Sequence, residues 1–179
     1  PRINMSIKKS ICYGFTLIEL MITLSIASIL LSVAVPSYRS FVQDSLLITQ
    51  SNNFYFALAL AKSEAIKRNT RITICPSTSG TNCTASNIWS NGWVVFVDNN
   101  NSRTIDAGEE ILQVSYAFSG GNTLKTSLAG TIMFRPDGFS PGSAATFSLC
   151  DDRGSNYSKS IVLSNQGRFR TETGTGSCS

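Results

Sequence analysis

From Phe15 to Val35 the chain is predominantly apolar and carries one charged residue, Glu19. About 20 apolar residues in a row are long enough to cross a bilayer as a helix, which satisfies its backbone polar groups within the segment. A carboxylate in such a run is costly, so Glu19 is expected to serve a function and to have a partner. Lys8 and Lys9 lie upstream, and a short stretch ending at Gly14 separates them from the run. Basic residues at that end place it in the cytoplasm and send the remainder outward. A secretory signal has a short apolar core and is cut behind it. Here the apolar run is full length and Gly14-Phe15 stands in front of it, so a cut there retains the span. Met5 is the expected start, giving a leader from Met5 to Gly14, with residues 1–4 upstream of it.

The rest of the chain is of one-domain length. Hydrophobic residues make up 42% of the 179 and charged residues 15%, which argues against disorder. The net charge of +4 is unevenly placed. Without Arg2, Lys8 and Lys9, 12 basic residues face 11 acidic ones, so any nucleic-acid site must be a local patch. Of five cysteines, Cys12 belongs to the leader, while Cys75, Cys83, Cys150 and Cys178 lie beyond the span. An even number outside the cytoplasm suggests two disulfides. Three pairings are open, and proximity in sequence favours Cys75–Cys83 with Cys150–Cys178. The wide spacings and the absence of histidine argue against zinc and against Ser-His or Cys-His catalysis. No metal, cofactor or enzymatic activity is expected.

The helical pattern continues past the span. Leu47, Phe54, Leu58, Ala61 and Ala65 fall on one stripe at steps of 7, 4, 3 and 4, with Lys62, Glu64, Lys67 and Arg68 off it. This predicts one helix over about residues 15–68, kinked near Pro36 and stopped at Asn69. Beyond it, short β-like runs alternate with Ser/Thr/Asn/Gly clusters. The predicted strands are 71–75, 92–97, 111–118, 130–135, 146–150, 160–163 and 168–171. The expected class is α+β: a long kinked helix packed on a mostly antiparallel β head. Residues 1–14 form the leader, 15–36 the membrane or filament-core half of the helix, and 37–179 the soluble head. Asp98-Asn99-Asn100-Asn101-Ser102 lacks the glycine and closing glutamate of a calcium loop and reads as a solvated hairpin loop.

Gly14-Phe15-Thr16-Leu17-Ile18-Glu19 behind a basic leader resembles the processing motif of type IV prepilins. The resemblance implies a pilin fold and an inner-membrane prepilin peptidase that cuts between Gly14 and Phe15 and methylates the new terminus at Phe15. It also implies assembly with other pilins, with Glu19 facing the terminal amine of a neighbouring subunit. Residues 61–68, running into Ile72-Thr73-Ile74-Cys75, are followed by Gly92-Trp93-Val94-Val95-Phe96-Val97-Asp98, Glu110-Ile111-Leu112 and Phe134-Arg135-Pro136-Asp137-Gly138. This order resembles the GspH/FimT family of minor pilins and pseudopilins. Single-pass anchorage in the inner membrane, a periplasmic head and later display on a surface pilus are the implied locations.

Gly167-Arg168-Phe169-Arg170 is the sharpest binding candidate in the head. On a strand, Arg168 and Arg170 share a face about 6.6 Å apart, with Phe169 on the other. Paired arginines suit phosphate, which a guanidinium holds bidentately. Within the family these residues resemble the GRxR motif of the FimT branch, which implies binding of double-stranded DNA through its backbone during natural transformation. Gln166, Lys159 and Arg153 are candidate extensions of the patch, opposed by Asp151, Asp152 and Glu172. Two further readings share the N-terminal motif: a minor pilin that primes assembly without binding DNA, and a GspH-like pseudopilin of type II secretion.

Overall fold

A computed structural model describes residues 14–128 and 130–178. Met5, Lys8, Lys9 and Cys12, and with them the leader up to Ile11-Cys12-Tyr13, lie outside the described residues. Helix α1 spans Leu17–Arg68 and runs unbroken as helix through Pro36, which has no N–H for the Ser32 carbonyl. It starts two residues after the predicted position because Thr16 caps it. The Thr16 hydroxyl accepts the Glu19 N–H at 3.3 Å, and the Thr16 carbonyl accepts the Leu20 N–H at 3.1 Å. Thr16-Leu17-Ile18-Glu19 therefore has the spacing of a capping box, with the acidic side chain in the first turn, where the helix dipole favours it.

The structure divides into two compact units at Phe41/Val42. In the first unit, residues 14–39 are all exposed, and α1 is by length and composition apolar enough to cross a membrane. Its hydroxyls turn back onto their own helix. Thr23 donates to the Leu20 carbonyl, Ser25 to Met21, Ser28 to Ser25 and Ser32 to Ile29, at 2.7–2.9 Å.

The second unit is built on the C-terminal half of α1. The predicted stripe is fully buried, joined by Ala57 and by Gln50 and Ser51. The helix stops where expected. Asn69 takes φ 51, Thr70 N–H reaches the Ala65 carbonyl and Asn69 N–H the Ile66 carbonyl, the paired bonds of a Schellman end.

Two four-stranded antiparallel sheets follow. The first has the order β3-β2-β1-β5, from β1 (Ile72–Pro76), β2 (Gly92–Val97), β3 (Ile111–Tyr116) and β5 (Ile132–Phe134). The second has the order β4-β6-β7-β8, from β4 (Thr123–Thr126), β6 (Ala145–Cys150), β7 (Lys159–Leu163) and β8 (Phe169–Thr173). β4 was not predicted. Its Thr-Leu-Lys-Thr carries one buried apolar residue, Leu124, too few to show alternation. The predicted 130–135 strand shrinks to three residues because a turn begins at Arg135, and the 111–118 strand ends at Tyr116.

The ring of Phe54 packs against Trp89, Trp93 and Phe147 at centroid distances of 5.4, 5.2 and 4.8 Å. It thus ties the helix to the strand β2 in one sheet, to β6 in the other, and to the segment before β2. Asp98 is fully buried, unlike the solvated residue expected. It accepts from the Thr73 hydroxyl at 2.9 Å and from the Ser102 and Arg103 N–H groups, so it holds its loop from within.

Replacing Phe54 by Ala leaves a cavity where the helix meets both sheets. The expected loss is about 3–5 kcal/mol of unfolding free energy, measured by urea denaturation. A loss below about 1 kcal/mol would show that the ring is not the keystone of the head.

Candidate nucleic-acid interface

The arginine motif lies on the β7–β8 hairpin. Ser164 and Arg168 close the loop: Ser164 N–H donates to the Arg168 carbonyl at 2.9 Å, and Arg168 N–H donates to the Ser164 hydroxyl at 3.3 Å. Gly167 N–H returns to the Ser164 carbonyl at 2.9 Å, and Gly167 has φ 68. This is a three-residue loop, a turn followed by a left-handed glycine, and it leaves Gln166 exposed at the tip.

Gly167 is required for a second reason. A Cβ there would stand 2.0 Å from the Gly138 carbonyl oxygen, so the hairpin backbone lies directly on the Arg135–Gly138 turn. Lys62 of α1 donates from Nζ to the Gly167 carbonyl at 2.9 Å. The three segments 61–68, 134–138 and 167–170 therefore converge at one place. Sequence reading left Lys62 out of the site. Its only signal was a position off the apolar stripe, which any solvated lysine shares.

Strand register sets which residues share a face. Leu163 pairs with Phe169, Val162 with Arg170, Ile161 with Thr171, Ser160 with Glu172 and Lys159 with Thr173. Ile161 and Leu163 face the core, and Phe169 joins them, its ring 4.7 Å from that of Tyr55. Arg170 therefore points outward, and Arg168, two residues earlier, is on the same outward side and exposed. Arg168 has no ion-pair partner among the described residues. Arg170 has one: its Nε donates to Glu172 Oε1 at 2.8 Å. That bond, with a second from the Thr175 hydroxyl to Oε2, holds the Glu172 carboxyl below the ordinary carboxylate range.

Two expected extensions do not join this face. Lys159 falls on the core-side parity with Leu163 and Ile161, and its Nζ reaches the Thr173 hydroxyl at 3.0 Å. Arg153 is only 15% exposed in its side chain and is engaged by Asp151 and Asp44 at 2.7 Å, with its guanidinium 4.3 Å from the Tyr157 ring centre. Its role is to tie helix α1 to the β6–β7 connection. Asp151 above all raises its pKa further, so it stays a cation. Asp152 accepts from Gln43 at 2.7 Å rather than opposing the arginines.

Of the remaining residues singled out in the sequence, Gly14 has no described atom near the position of a Cβ, and Phe15 and Glu19 are exposed in the first unit. Cys75–Cys83 and Cys150–Cys178 are disulfides, with Cα–Cα distances of 5.5 and 5.7 Å. No cluster able to hold a metal ion exists among the described residues.

Residues 50–167 match the family model described as type II transport protein GspH, and residues 9–35 match the prokaryotic N-terminal methylation motif. The pilin-like protein PilA1 of Thermus thermophilus is 29% identical over 168 residues, covering 89% of this chain and 97% of that protein. Among solved structures, the type IV minor pilin FimU of Pseudomonas aeruginosa superposes with a TM-score of 0.60 at 20% identity. It covers 75% of this chain and 93% of its own. The minor pseudopilin EpsH of the type 2 secretion system of Vibrio cholerae gives 0.52 at 13% identity, covering 71% and 96%. These two likenesses are likenesses of fold: one long N-terminal helix packed on antiparallel sheets.

The Gly138–Gly167 contact predicts a contrast between two glycines of similar φ. Gly174→Ala, with φ 73 and its nearest atom at 3.4 Å, should cost about 1–2 kcal/mol from backbone strain alone. Gly167→Ala adds a backbone overlap and should cost clearly more, read by thermal or urea denaturation. Equal losses would remove the contact from the account.

Proposed function

The chain belongs to the GspH family of type IV minor pilins and pseudopilins, and on that premise we propose that it is a minor pilin of a type IV pilus that binds extracellular double-stranded DNA for uptake in natural transformation. The observation that carries this reading is the outward pair Arg168 and Arg170 on a hairpin braced by the Gly138 turn and by Lys62. A guanidinium fork on a rigid loop loses little freedom on meeting a phosphate. Contacts of this kind go to the backbone and carry no sequence information. The likeness to the FimT branch at Gly167-Arg168-Phe169-Arg170 points the same way, with Gln166 at the tip as a neutral neighbour. A filament catching a long polymer works with modest single-site affinity, because many copies of the phosphate are on offer.

The N-terminal part of the proposal follows the motif. Prepilin peptidase cuts between Gly14 and Phe15, Phe15 is methylated, and residues 15–36 hold the chain in the inner membrane with the head, 37–179, in the periplasm. On assembly, Glu19 pairs with the terminal amine of a neighbouring pilin, and the head is carried to the cell surface.

A pseudopilin of type II secretion is the second reading, favoured by the description of the family itself. Under it, loss of the chain impairs protein secretion and leaves transformation intact.

The test is fluorescence anisotropy of the full chain in detergent with a short DNA duplex, titrated with salt. Arg168→Gln with Arg170→Gln should weaken binding at least tenfold at low salt and lower the log–log salt slope by about 0.9 for each phosphate that the pair neutralises. Unchanged binding in the double variant would reject the hairpin as the DNA site.

A further inference from the structure

The two arginines of the hairpin are not equivalent. Arg168 is exposed and unpaired among the described residues, whereas Arg170 has its Nε bound to Glu172 at 2.8 Å. Glu172 is itself held. Its second oxygen accepts from the Thr175 hydroxyl at 3.2 Å. The tail carrying Thr175 is tied to β6 and to the loop before β7: Gly174 N–H donates to the Ser158 carbonyl, Gly176 N–H to the Ser158 hydroxyl and Ser177 N–H to the Ser148 hydroxyl. The Cys150–Cys178 disulfide closes this fastening. The carboxylate is thus a fixed part of the outward face, one strand repeat from Arg170, and not a side chain swinging in solvent.

A guanidinium offers a phosphate two edges: the side-on edge that includes Nε, and the end-on edge of the two terminal nitrogens. With Nε occupied, the side-on edge of Arg170 is closed, and a phosphate arriving end-on meets a carboxylate held beside it. We propose that Glu172 is a built-in counter-ion that sets the affinity of the hairpin: it neutralises Arg170 in the free head, and a phosphate engages Arg170 fully only by displacing it. This inference rests on the DNA-binding reading and adds a residue that governs it. Arg168 is then the standing phosphate contact and Arg170 the conditional one. A single phosphate has little to set against the carboxylate. A dense polyanion, already held at Arg168, presents its next phosphate at high local concentration and prevails.

Glu172→Gln tests this, because the amide oxygen can still accept from Arg170 and its NH2 can donate to the Thr175 hydroxyl oxygen, while the charge is removed. In the duplex-binding assay on the full chain in detergent, with both disulfides intact, Glu172→Gln should tighten binding about two- to fivefold, the range of one exposed ion pair. It should also steepen the salt slope by about 0.9, because Arg170 then counts as a full phosphate contact. Its thermal midpoint should stay close to that of the parent, which separates the effect from a change of fold. In an Arg170→Gln background the gain should vanish. An equal gain in that background overturns the proposal, because it would reflect only the loss of one negative charge near DNA. Unchanged or weaker binding by Glu172→Gln also overturns it, since Glu172 would then orient Arg170 and not compete for it. If Arg168→Gln with Arg170→Gln binds like the parent, the DNA reading has failed and the counter-ion role falls with it. If that double variant loses binding while Glu172→Gln is unmoved, only the counter-ion role falls.

Discussion

The head depends on one aromatic contact. Phe54 projects from the middle of the buried helix stripe into a cage of Trp89, Trp93 and Phe147, and so one side chain joins the helix to both sheets. The first sheet also buries Cys75, Val94 and Phe96 in a smaller cluster that takes nothing from the helix, but the main core depends on it. The inward residues of β1 and β2 and those of β6 and β7 all belong to the same apolar cluster as Leu47, Leu58, Ala61 and Ala65. Alanines at the last two positions let the strands approach the helix closely, and this brings Lys62 within reach of the Gly167 carbonyl. The placement of the hairpin is in this sense a result of core packing.

The β7–β8 hairpin shows how local rules become a surface. Its three-residue loop fixes the register, the register fixes parity, and parity decides which side chains meet solvent. Phe169 goes to Tyr55 and the two arginines go outward because of that loop length. The left-handed Gly167 both completes the turn and admits the Gly138 backbone beside it. One residue type thus meets a conformational demand and a steric one at the same position.

The parts of this arrangement that were legible in the sequence are those with a short period. The helix stripe, the end of the helix at Asn69, β2 and the alternation of Arg168, Phe169 and Arg170 follow from spacing alone. What was not legible needs contacts between distant segments. β4 has a single buried apolar residue and gains its place by pairing with β6. Trp89 is fully buried in an irregular stretch that carries no period. Lys159 and Arg153 have the right charge for the patch, but cross-strand parity directs the first away and Asp44, more than 100 residues distant, engages the second. Asp98 resembled a solvent-facing loop residue because the Thr73 hydroxyl and the loop N–H groups that satisfy it are not visible from its neighbours in sequence.

The hydroxyls of the apolar helix half have a consequence of their own. Thr23, Ser25, Ser28 and Ser32 each spend their hydrogen on a carbonyl one turn back. These four hydroxyls therefore ask nothing of whatever surrounds the segment; the Ser32 carbonyl, left without an N–H by Pro36, and Glu19 do. Acyl chains and the flank of another such helix are equivalent neighbours as far as those hydroxyls go, and exchanging one for the other breaks none of their bonds. Shape, the Ser32 carbonyl and the single carboxylate near its start remain to tell the two surroundings apart.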